Sequence, residues 1–162
     1  MTVVGVARRR WTGAALVAAL TAAVMAAGCA SAPKPTKVSG SVEASATINP
    51  SASQRPSPLL LRVYELKSPT AFNAADFMSL YQRDQAELAT DLVAREELTL
   101  APGESRPLSK MLSPDTRYIG VVAAFRDLEH AHWRSIAVVE PGKSKKVVIR
   151  ADALSVAVTV TR

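Results

Sequence analysis

Two segments near the ends of the chain alternate apolar and polar residues with a period of two. In the first, 37–48, one side carries Val38, Gly40, Val42, Ala44, Ala46 and Ile48. The second segment, 154–161, places Leu154, Val156, Val158 and Val160 on one side. Because successive side chains of a strand point to opposite faces, each segment predicts a half-buried β-strand.

Six more strands are predicted between these two, separated by turn dipeptides such as Pro102-Gly103 and Pro141-Gly142. The predicted strands cover residues 59–66, 97–101, 105–111, 117–125, 133–139 and 145–150. Tyr118 to Phe125 is apolar on both faces, which indicates a central strand covered on both sides. Seven or eight short strands at this spacing predict a mainly β protein with a two-sheet β-sandwich.

A helical insertion is predicted at about 73–90. Asn73 and Asp76 have the spacing of a helix cap, and Phe72 and Phe77 that of a hydrophobic staple. Phe77, Leu80 and Tyr81 would form one apolar face. A second cap at Asp84 and Glu87 predicts a separate short helix, 84–90, with Leu88 inward. We expect the aromatic residues of this insertion to pack onto the sandwich and not to form a cofactor site.

The longest apolar stretch, 11–27, follows Arg8, Arg9 and Arg10 and leads directly into Cys29, the single cysteine. Basic residues ahead of such a stretch are typical of a secretory leader. The cleavage motif consists of the small residues Ala26, Ala27 and Gly28. Followed by cysteine, it resembles the bacterial lipobox, in which the cysteine receives a lipid before cleavage. Two alternatives are a transmembrane anchor and a plain cleaved signal that leaves Cys29 as a free thiol. Ala30, where retained lipoproteins carry aspartate, implies sorting to the outer membrane.

These patterns divide the 162 residues into a cleaved leader (1–28), a lipidated N-terminus and tether (29–36) and a single domain (37–162). Without Arg8, Arg9 and Arg10 of the leader, 17 basic residues face 14 acidic ones, and the net charge falls from +6 to +3. A mildly basic, aromatic-poor domain does not favour nucleic-acid binding. The densest basic cluster is Lys143, Lys145 and Lys146. We expect these lysines to lie on an edge strand, where they guard the sheet edge by discouraging pairing with another sheet.

No catalytic set, metal site or cofactor site is predicted, apart from the covalent lipid on Cys29. His130 and His132, with Asp127 and Glu129 nearby, offer half a metal site, but the sequence shows no third ligand at a recognised spacing. Arg126 and Asp127 are expected to pair and to pin the connection that follows them. Trp133 is expected in the core, or stacked near Arg134 as an interface anchor.

Several segments, in matching order, resemble the type VI secretion outer-membrane lipoprotein family called TssJ or VasD/Lip. They include Asn49-Pro50, Arg55-Pro56-Ser57-Pro58, Arg62-Val63-Tyr64-Glu65-Leu66, Phe72 with Ala75-Asp76-Phe77, Leu80-Tyr81 with Asp84, Leu100 with Pro102-Gly103, and Gly120 to Asp127 ahead of Trp133-Arg134. The resemblance implies a transthyretin-like β-sandwich with an added helical segment. It also implies a lipid-anchored outer-membrane protein whose domain faces the periplasm.

The same resemblance implies a partner, the periplasmic C-terminal region of the IcmF-type (TssM) inner-membrane protein, within an envelope complex that also contains TssL. The family's partner-contact loop joins the first two strands. In this sequence it corresponds to Asn49, Pro50, Ser51, Ala52, Ser53, Gln54, Arg55, Pro56 and Ser57. The leading hypothesis is therefore a non-enzymatic assembly lipoprotein. The alternative is a ligand-binding or carrier lipoprotein of the periplasm.

Overall fold

The computed structural model describes residues 34–162. The leader, the cleavage motif, Cys29 and most of the tether lie outside the described residues, so the predictions for them stay predictions. The described part contains eight strands: β1 (Thr36–Ala44), β2 (Leu59–Leu66), β3 (Leu92–Leu100), β4 (Ser105–Leu112), β5 (Tyr118–Ala123), β6 (Arg134–Val138), β7 (Lys145–Ala151) and β8 (Val156–Thr161). Two helices, α1 (Thr70–Ala74) and α2 (Phe77–Leu88), and a 3-10 turn (Ala89–Asp91) lie between β2 and β3.

The strands form two four-stranded sheets. The first sheet has the order β4-β1-β7-β8, and the second has the order β3-β2-β5-β6. Strands β1 and β7 run parallel, whereas all other neighbouring pairs are antiparallel. The prediction of a mainly β, two-sheet sandwich with seven to eight strands and a short helical insertion is confirmed.

The main core fills the space between the two sheets. It contains fully buried aliphatic side chains from both layers, including Val38, Leu59, Leu61, Val121, Val147 and Ile149. On β1 and β8 these inward residues alternate with exposed or half-buried ones, as predicted. Burial of each such aliphatic side chain stabilises the fold by about 1.5–3 kcal/mol.

A second cluster lies on the outer face of the second sheet, where the two helices pack. Phe72 of α1 is fully buried, and its ring meets Tyr64 edge to face at 5.9 Å between centroids. Leu80 and Leu88 of α2 are buried in the same cluster. Strand β5 therefore has the sandwich core on one side and the helices on the other. This confirms the prediction of a central strand covered on both sides, although the strand ends at Ala123 and not at Phe125.

The helices begin at different residues from those predicted. Asn73 lies inside α1 and does not cap it. Asp76 caps α2, because its carboxylate accepts a hydrogen bond from the Ser79 backbone N–H at 2.9 Å. The predicted break before Asp84 is a kink, with non-helical backbone at Arg83. No helix in the described part of the chain is long and apolar enough to cross a bilayer.

Two strand boundaries differ from the prediction by four residues or more. β1 ends at Ala44, although the apolar alternation continues to Ile48, because a turn redirects the chain there while Ile48 still points into the core. β3 begins at Leu92, five residues before the predicted start. Its first half pairs with β2, with a register shift between Glu65 and Leu66, even though Arg95, Glu96 and Glu97 are exposed. Cross-strand hydrogen bonding therefore outweighs the polar composition.

The expectation that Lys143, Lys145 and Lys146 guard a sheet edge is wrong. They precede or begin β7, which lies between β1 and β8 in the interior of its sheet. Lys145 is itself buried, and its Nζ lies 2.9 Å from Glu140 Oε2. The true edge strand β4 carries Arg106, Pro107 and Lys110, which are residue types that discourage pairing with another sheet.

Candidate functional site

The sandwich has two ends that carry different connections. At the end where β1 begins, the chain arrives from residue 34 and the connections 113–117 and 139–144 lie beside it; we call this the tether end. Gly142 N–H there donates to Thr36 Oγ1 at 2.8 Å. The opposite end carries the connections 45–58, 101–104, 124–133 and 152–155; we call this the loop end. The predicted partner-contact loop belongs to the loop end.

Asn49 holds the base of this loop. Its Nδ2 donates to the Pro58 carbonyl at 2.8 Å, and its Oδ1 accepts from the Arg126 backbone N–H at 2.8 Å. Its own backbone N–H donates to the Ala153 carbonyl at 3.0 Å. Asn49 adopts a left-handed conformation, φ 49°, which asparagine tolerates better than most residues. Through its side chain and its backbone, this one residue ties together three connections of the loop end.

The tip of the loop is a closed turn that projects into solvent. Ser51 N–H donates to the Arg55 carbonyl at 2.8 Å, and Gln54 N–H donates to the Ser51 carbonyl at 2.8 Å. Arg55 N–H donates to Ser51 Oγ at 3.2 Å. Because these bonds already order the tip, little backbone entropy remains to be lost when a partner binds it.

Burial divides the nine predicted loop residues into two groups. Asn49 and Ser57 are 3% and 8% exposed, so they support the loop and offer a partner almost no surface. Pro50 and Ser51 are half-buried. The exposed residues are Ala52, Ser53, Gln54, Arg55 and Pro56. The structure thus narrows a candidate contact surface to the tip.

The connection 124–133, next to the loop, differs from the prediction in its pairing. Asp127 accepts hydrogen bonds from the His130 backbone N–H at 3.3 Å and from His130 Nδ1 at 2.9 Å, and the His130 bond holds the pKa of Asp127 below its usual range. Among residues 34–162, no salt bridge joins Arg126 to Asp127. Asp127 therefore pins the connection that follows it, as predicted, but it does so through His130 and not together with Arg126.

The two histidines do not converge on a metal-binding arrangement. His132 is exposed, and its backbone bridges to Ser155 of the neighbouring connection. Within the described residues, no group of three or more histidine, cysteine, aspartate or glutamate side chains is close enough to hold a metal ion.

Trp133 joins the two hydrophobic clusters. It is half-buried and packs against both of them, and its ring meets Phe77 edge to face at 5.4 Å between centroids. Arg134 lies over the Trp133 ring at 4.9 Å from its centroid, and its Nη1 also donates to the Phe72 and Ala75 carbonyls at 3.1 and 2.8 Å. The predicted stacking of Trp133 and Arg134 therefore lies within the domain. The Arg134 hydrogen bonds fasten α1 to the second sheet.

A buried ionic network that the sequence did not indicate fastens α2 to the same sheet. Asp84 is 4% exposed, and its carboxylate accepts from Arg95 Nη1 at 2.8 Å and from the Tyr64 hydroxyl at 3.1 Å. Arg62 Nη1 lies 3.6 Å from the same carboxylate. Burial raises the pKa of Asp84, but the bonds to Arg95 and Tyr64 outweigh it, so the net pKa lies below its usual value.

A small apolar cavity lies between the sheets, beside the edge strands β3 and β4. Its volume is about 100 Å³, and its lining includes Val42, Leu98, Leu108 and Ile149. Glu65, at its margin, is buried and accepts hydrogen bonds from Thr116 Oγ1 at 2.7 Å and Ser113 N–H at 3.1 Å. A cavity of ~150 Å³ is known to hold a benzene molecule, so this space is smaller than a usual ligand site.

The fold matches solved structures of secretion-system lipoproteins. The type VI lipoprotein TssJ1 from Pseudomonas aeruginosa is 38% identical, with a TM-score of 0.76 over 79% of this chain and 98% of that one. Lip from Serratia marcescens, a membrane-bound component of the type VI secretion system, is 26% identical, with a TM-score of 0.68 over 79% and 97%. A chain of a type VI membrane complex is 25% identical, with a TM-score of 0.62 over 78% and 98%.

No curated protein matches the sequence. The family model described as type VI secretion lipoprotein (VasD, EvfM, TssJ) matches residues 36–154, which is well over half of the chain. This family consists of structural secretion-system lipoproteins and is not a known enzyme family. By its sequence and its fold, the chain belongs to the type VI secretion lipoprotein family.

Proposed function

We propose that this protein is a structural lipoprotein that lipid on Cys29 fixes to the outer membrane, with its domain facing the periplasm. The tip of the 49–57 loop binds the periplasmic C-terminal region of the IcmF-type (TssM) inner-membrane protein. Through that contact the protein helps to build the envelope-spanning complex that also contains TssL. It performs no chemistry of its own.

One observation carries the proposal: the chain arrives at one end of the sandwich and the loop tip projects from the other. β1 has nine residues, and at about 3.3 Å per residue it separates the two ends by about 30 Å. A domain anchored at its tether end therefore presents the tip away from the membrane, toward a partner that rises from the inner membrane. Membership of the type VI secretion lipoprotein family supports this assignment.

The exposed tip suits protein recognition. Arg55 supplies a long, multiply donating side chain, and arginine is enriched among residues that dominate binding energy. Pro50 and Pro56 restrict the backbone on either side of the turn. With the internal hydrogen bonds of the turn, these residues give a surface whose shape is already set before binding.

Capture of the IcmF-type periplasmic domain by the full-length protein in detergent tests the contact. We expect Arg55→Glu to reduce the affinity at least tenfold, which corresponds to about 1.4 kcal/mol. The matched control is Lys143→Glu, which makes the same charge change at an exposed turn of the tether end and should stay within about twofold of the wild type. Equal affinity of both variants and the wild type would exclude the tip as the contact.

Anchoring is tested separately with Cys29→Ser. This variant should leave the membrane fraction and incorporate no labelled palmitate, while the wild type does both. If the wild type takes up no label, or if a soluble Cys29→Ser protein still supports secretion, the lipoprotein role is wrong.

The carrier alternative would place its ligand in the small apolar cavity between the sheets. Native mass spectrometry of protein purified from its own envelope distinguishes the two functions. A carrier would retain a bound molecule, whereas an assembly protein shows only the mass of the lipidated chain.

A further inference from the structure

Charge is divided unequally between the two ends of the sandwich. The loop end, over its four connections, has two basic and four acidic residues, a net charge of −2: Arg55 and Arg126 against Glu104, Asp127, Glu129 and Asp152. The tether end, counted in the same way over residues 34–35, 67–69, 89–91, 113–117, 139–144 and 162, has five basic and three acidic residues, a net charge of +2: Lys34, Lys67, Arg117, Lys143 and Arg162 against Asp91, Asp115 and Glu140. Lys37, Lys145 and Lys146 lie beside them, in the first residues of β1 and β7. The excess positive charge of the domain is therefore concentrated where the chain arrives.

Two of the three acidic residues of the tether end, Asp115 and Glu140, are already engaged by part of this positive charge. Glu140 Oε2 lies 2.9 Å from Lys145 Nζ and 3.9 Å from Lys143 Nζ. Asp115 Oδ2 lies 3.8 Å from Lys67 Nζ. The outward positive excess is thus carried by side chains that are all exposed: Lys34, Lys37, Lys146 and Arg162.

Covalent geometry keeps this surface near the lipid. Six residues lie between Cys29 and Thr36, and the seven residue-to-residue steps of a fully extended chain span at most about 25 Å. Electrostatic attraction acts over a Debye length of about 8 Å at physiological salt, so a domain on so short a tether repeatedly enters that range. Each lysine near an anionic surface strengthens association by about fivefold.

We propose that the tether end is a docking surface for an anionic phospholipid bilayer. Its exposed lysines lie against the headgroups and set the strands upright on the membrane, so that the loop end points away from it. This inference rests on the proposed lipidation of Cys29, which brings the surface to the bilayer. It adds that charge, and not the tether alone, fixes the orientation of the domain.

An acidic protein could also bind lysines of this kind. The bilayer is favoured because the chain that leads to Cys29 leaves the domain within this same basic surface, at Lys34. The slightly acidic loop end is repelled by the same headgroups, which reinforces a single orientation.

The test uses the full lipidated protein in phosphatidylcholine vesicles with or without about one quarter phosphatidylglycerol. Because Cys29 is the single cysteine and carries the lipid, Ser144→Cys introduces one labelling site at the tether end and Ser53→Cys one at the loop end. A dye at each site is quenched by spin-labelled headgroups when it lies at the surface. We expect strong quenching at position 144 only in anionic vesicles, reversed by 500 mM salt, and little quenching at position 53.

The triple variant Lys34→Gln, Lys37→Gln and Lys146→Gln should lower the ratio of docked to free domain about 100-fold. The matched control Arg83→Gln, Arg126→Gln and Arg150→Gln removes the same charge elsewhere on the exposed surface and should leave quenching at position 144 unchanged.

Three outcomes overturn the inference. Quenching at position 144 could be the same in neutral and anionic vesicles, or both triple variants could reduce it equally. Alternatively, the lysine variant could lose capture of the IcmF-type domain while its quenching is unchanged, which assigns the surface to a protein. Release of wild-type protein from vesicles at high salt is a different failure, because it refutes the lipid anchor and not the charged surface.

Discussion

The outer face of the first sheet is open to solvent, whereas the outer face of the second sheet is covered by α1 and α2. The open face has small polar residues in register across its strands, with Ser109, Ser39, Lys146 and Thr161 forming one row. The covered face carries Tyr64, Leu66 and Val122, all buried. A strand with one solvent-exposed face alternates apolar and polar residues clearly, but a strand buried on both faces does not. The second kind of strand needs packing partners from elsewhere in the chain.

Each sheet also contains a glycine in close contact, but the contacts differ in kind. A methyl group at Gly40 of β1 would lie 1.8 Å from the backbone oxygen of Val147 on β7, and Gly40 has φ 156°. At Gly120 of β5 it would lie 3.0 Å from the Phe72 ring of α1. The first obstacle is backbone inside a hydrogen-bonded sheet, and the second is a side chain of a packed helix. A larger residue is therefore tolerated less well at Gly40 of the open sheet than at Gly120 of the covered sheet.

The largest effect is expected for Gly40→Ala. The added methyl group cannot avoid Val147 without separating β1 from β7, so the free energy of unfolding should fall by about 3–5 kcal/mol. Urea unfolding of the purified protein measures the change, with Ser39→Ala as the neighbouring control. A loss below about 1 kcal/mol would show that the two strands can move apart freely.

The next effect concerns the helix-covered face. Asp84→Ala removes the carboxylate that joins α2 to Arg95 and Tyr64, and we expect a loss of about 2–3 kcal/mol. Because Arg95 is partly exposed, its charge is not left fully buried in this variant. The loss of stability should therefore be smaller than for a fully buried ion pair. Glu97→Ala is the control, because Glu97 is exposed and pairs only with Arg62 in the described part of the chain, and it should lose less than about 1 kcal/mol.

Gly120→Ala should destabilise the covered sheet by about 1–2 kcal/mol, less than Gly40→Ala destabilises the open one. The Phe72 ring can shift by a few tenths of an ångström, whereas a sheet backbone cannot. The double variant Gly120→Ala with Phe72→Leu tests this cause. If the smaller side chain at position 72 recovers none of the loss, the ring is not the obstacle.

Acid should weaken the covered face through Asp84. Its folded-state pKa is below the unfolded value of about 3.9, so the stabilisation is fully present above pH 4 and is lost as the pH falls through the folded-state pKa. Other carboxylates titrate in the same range, so the relevant quantity is the stability difference between the wild type and Asp84→Asn. That difference should shrink as the pH is lowered from 5 to 2; a constant difference would mean that Asp84 is not ionised.

The smallest effect is expected on the open face. Ser39→Thr replaces one exposed strand residue by another with higher β-propensity, and the free energy of unfolding should change by no more than about 0.5 kcal/mol. A loss above 1 kcal/mol would indicate that something covers this face in solution. Size-exclusion chromatography of the wild type would then identify a second copy as the cover.

Much of the fold could be predicted from the sequence, because alternation and turn residues are local signals. All eight strands and the helical insertion were found, and β2 was placed at its observed bounds. The misplaced start of β3 and the misplaced cap at Asn73 have one cause. In both cases a partner distant in the chain decides the local structure: β2 for the first half of β3, and β6 for α1, through Arg134.

The candidate site was only partly predictable. The loop 49–57 could be proposed by resemblance, but the burial of Asn49 and the exposure of Arg55 could not be predicted, since burial depends on connections from three parts of the chain. The lysines were misread for a similar reason. Their position in sequence beside a turn resembled an edge, but strand order places β7 in the interior.

The sequence alone determined the strands and the sandwich class, because hydrophobic periodicity and turn residues are local properties of the chain. Tertiary structure alone decided which end each connection occupies, which sheet the helices cover and which loop residues reach solvent. The physical reason is that strand order and burial come from contacts between residues far apart in sequence. Those contacts place the tether and the loop tip at opposite ends of one rigid sandwich.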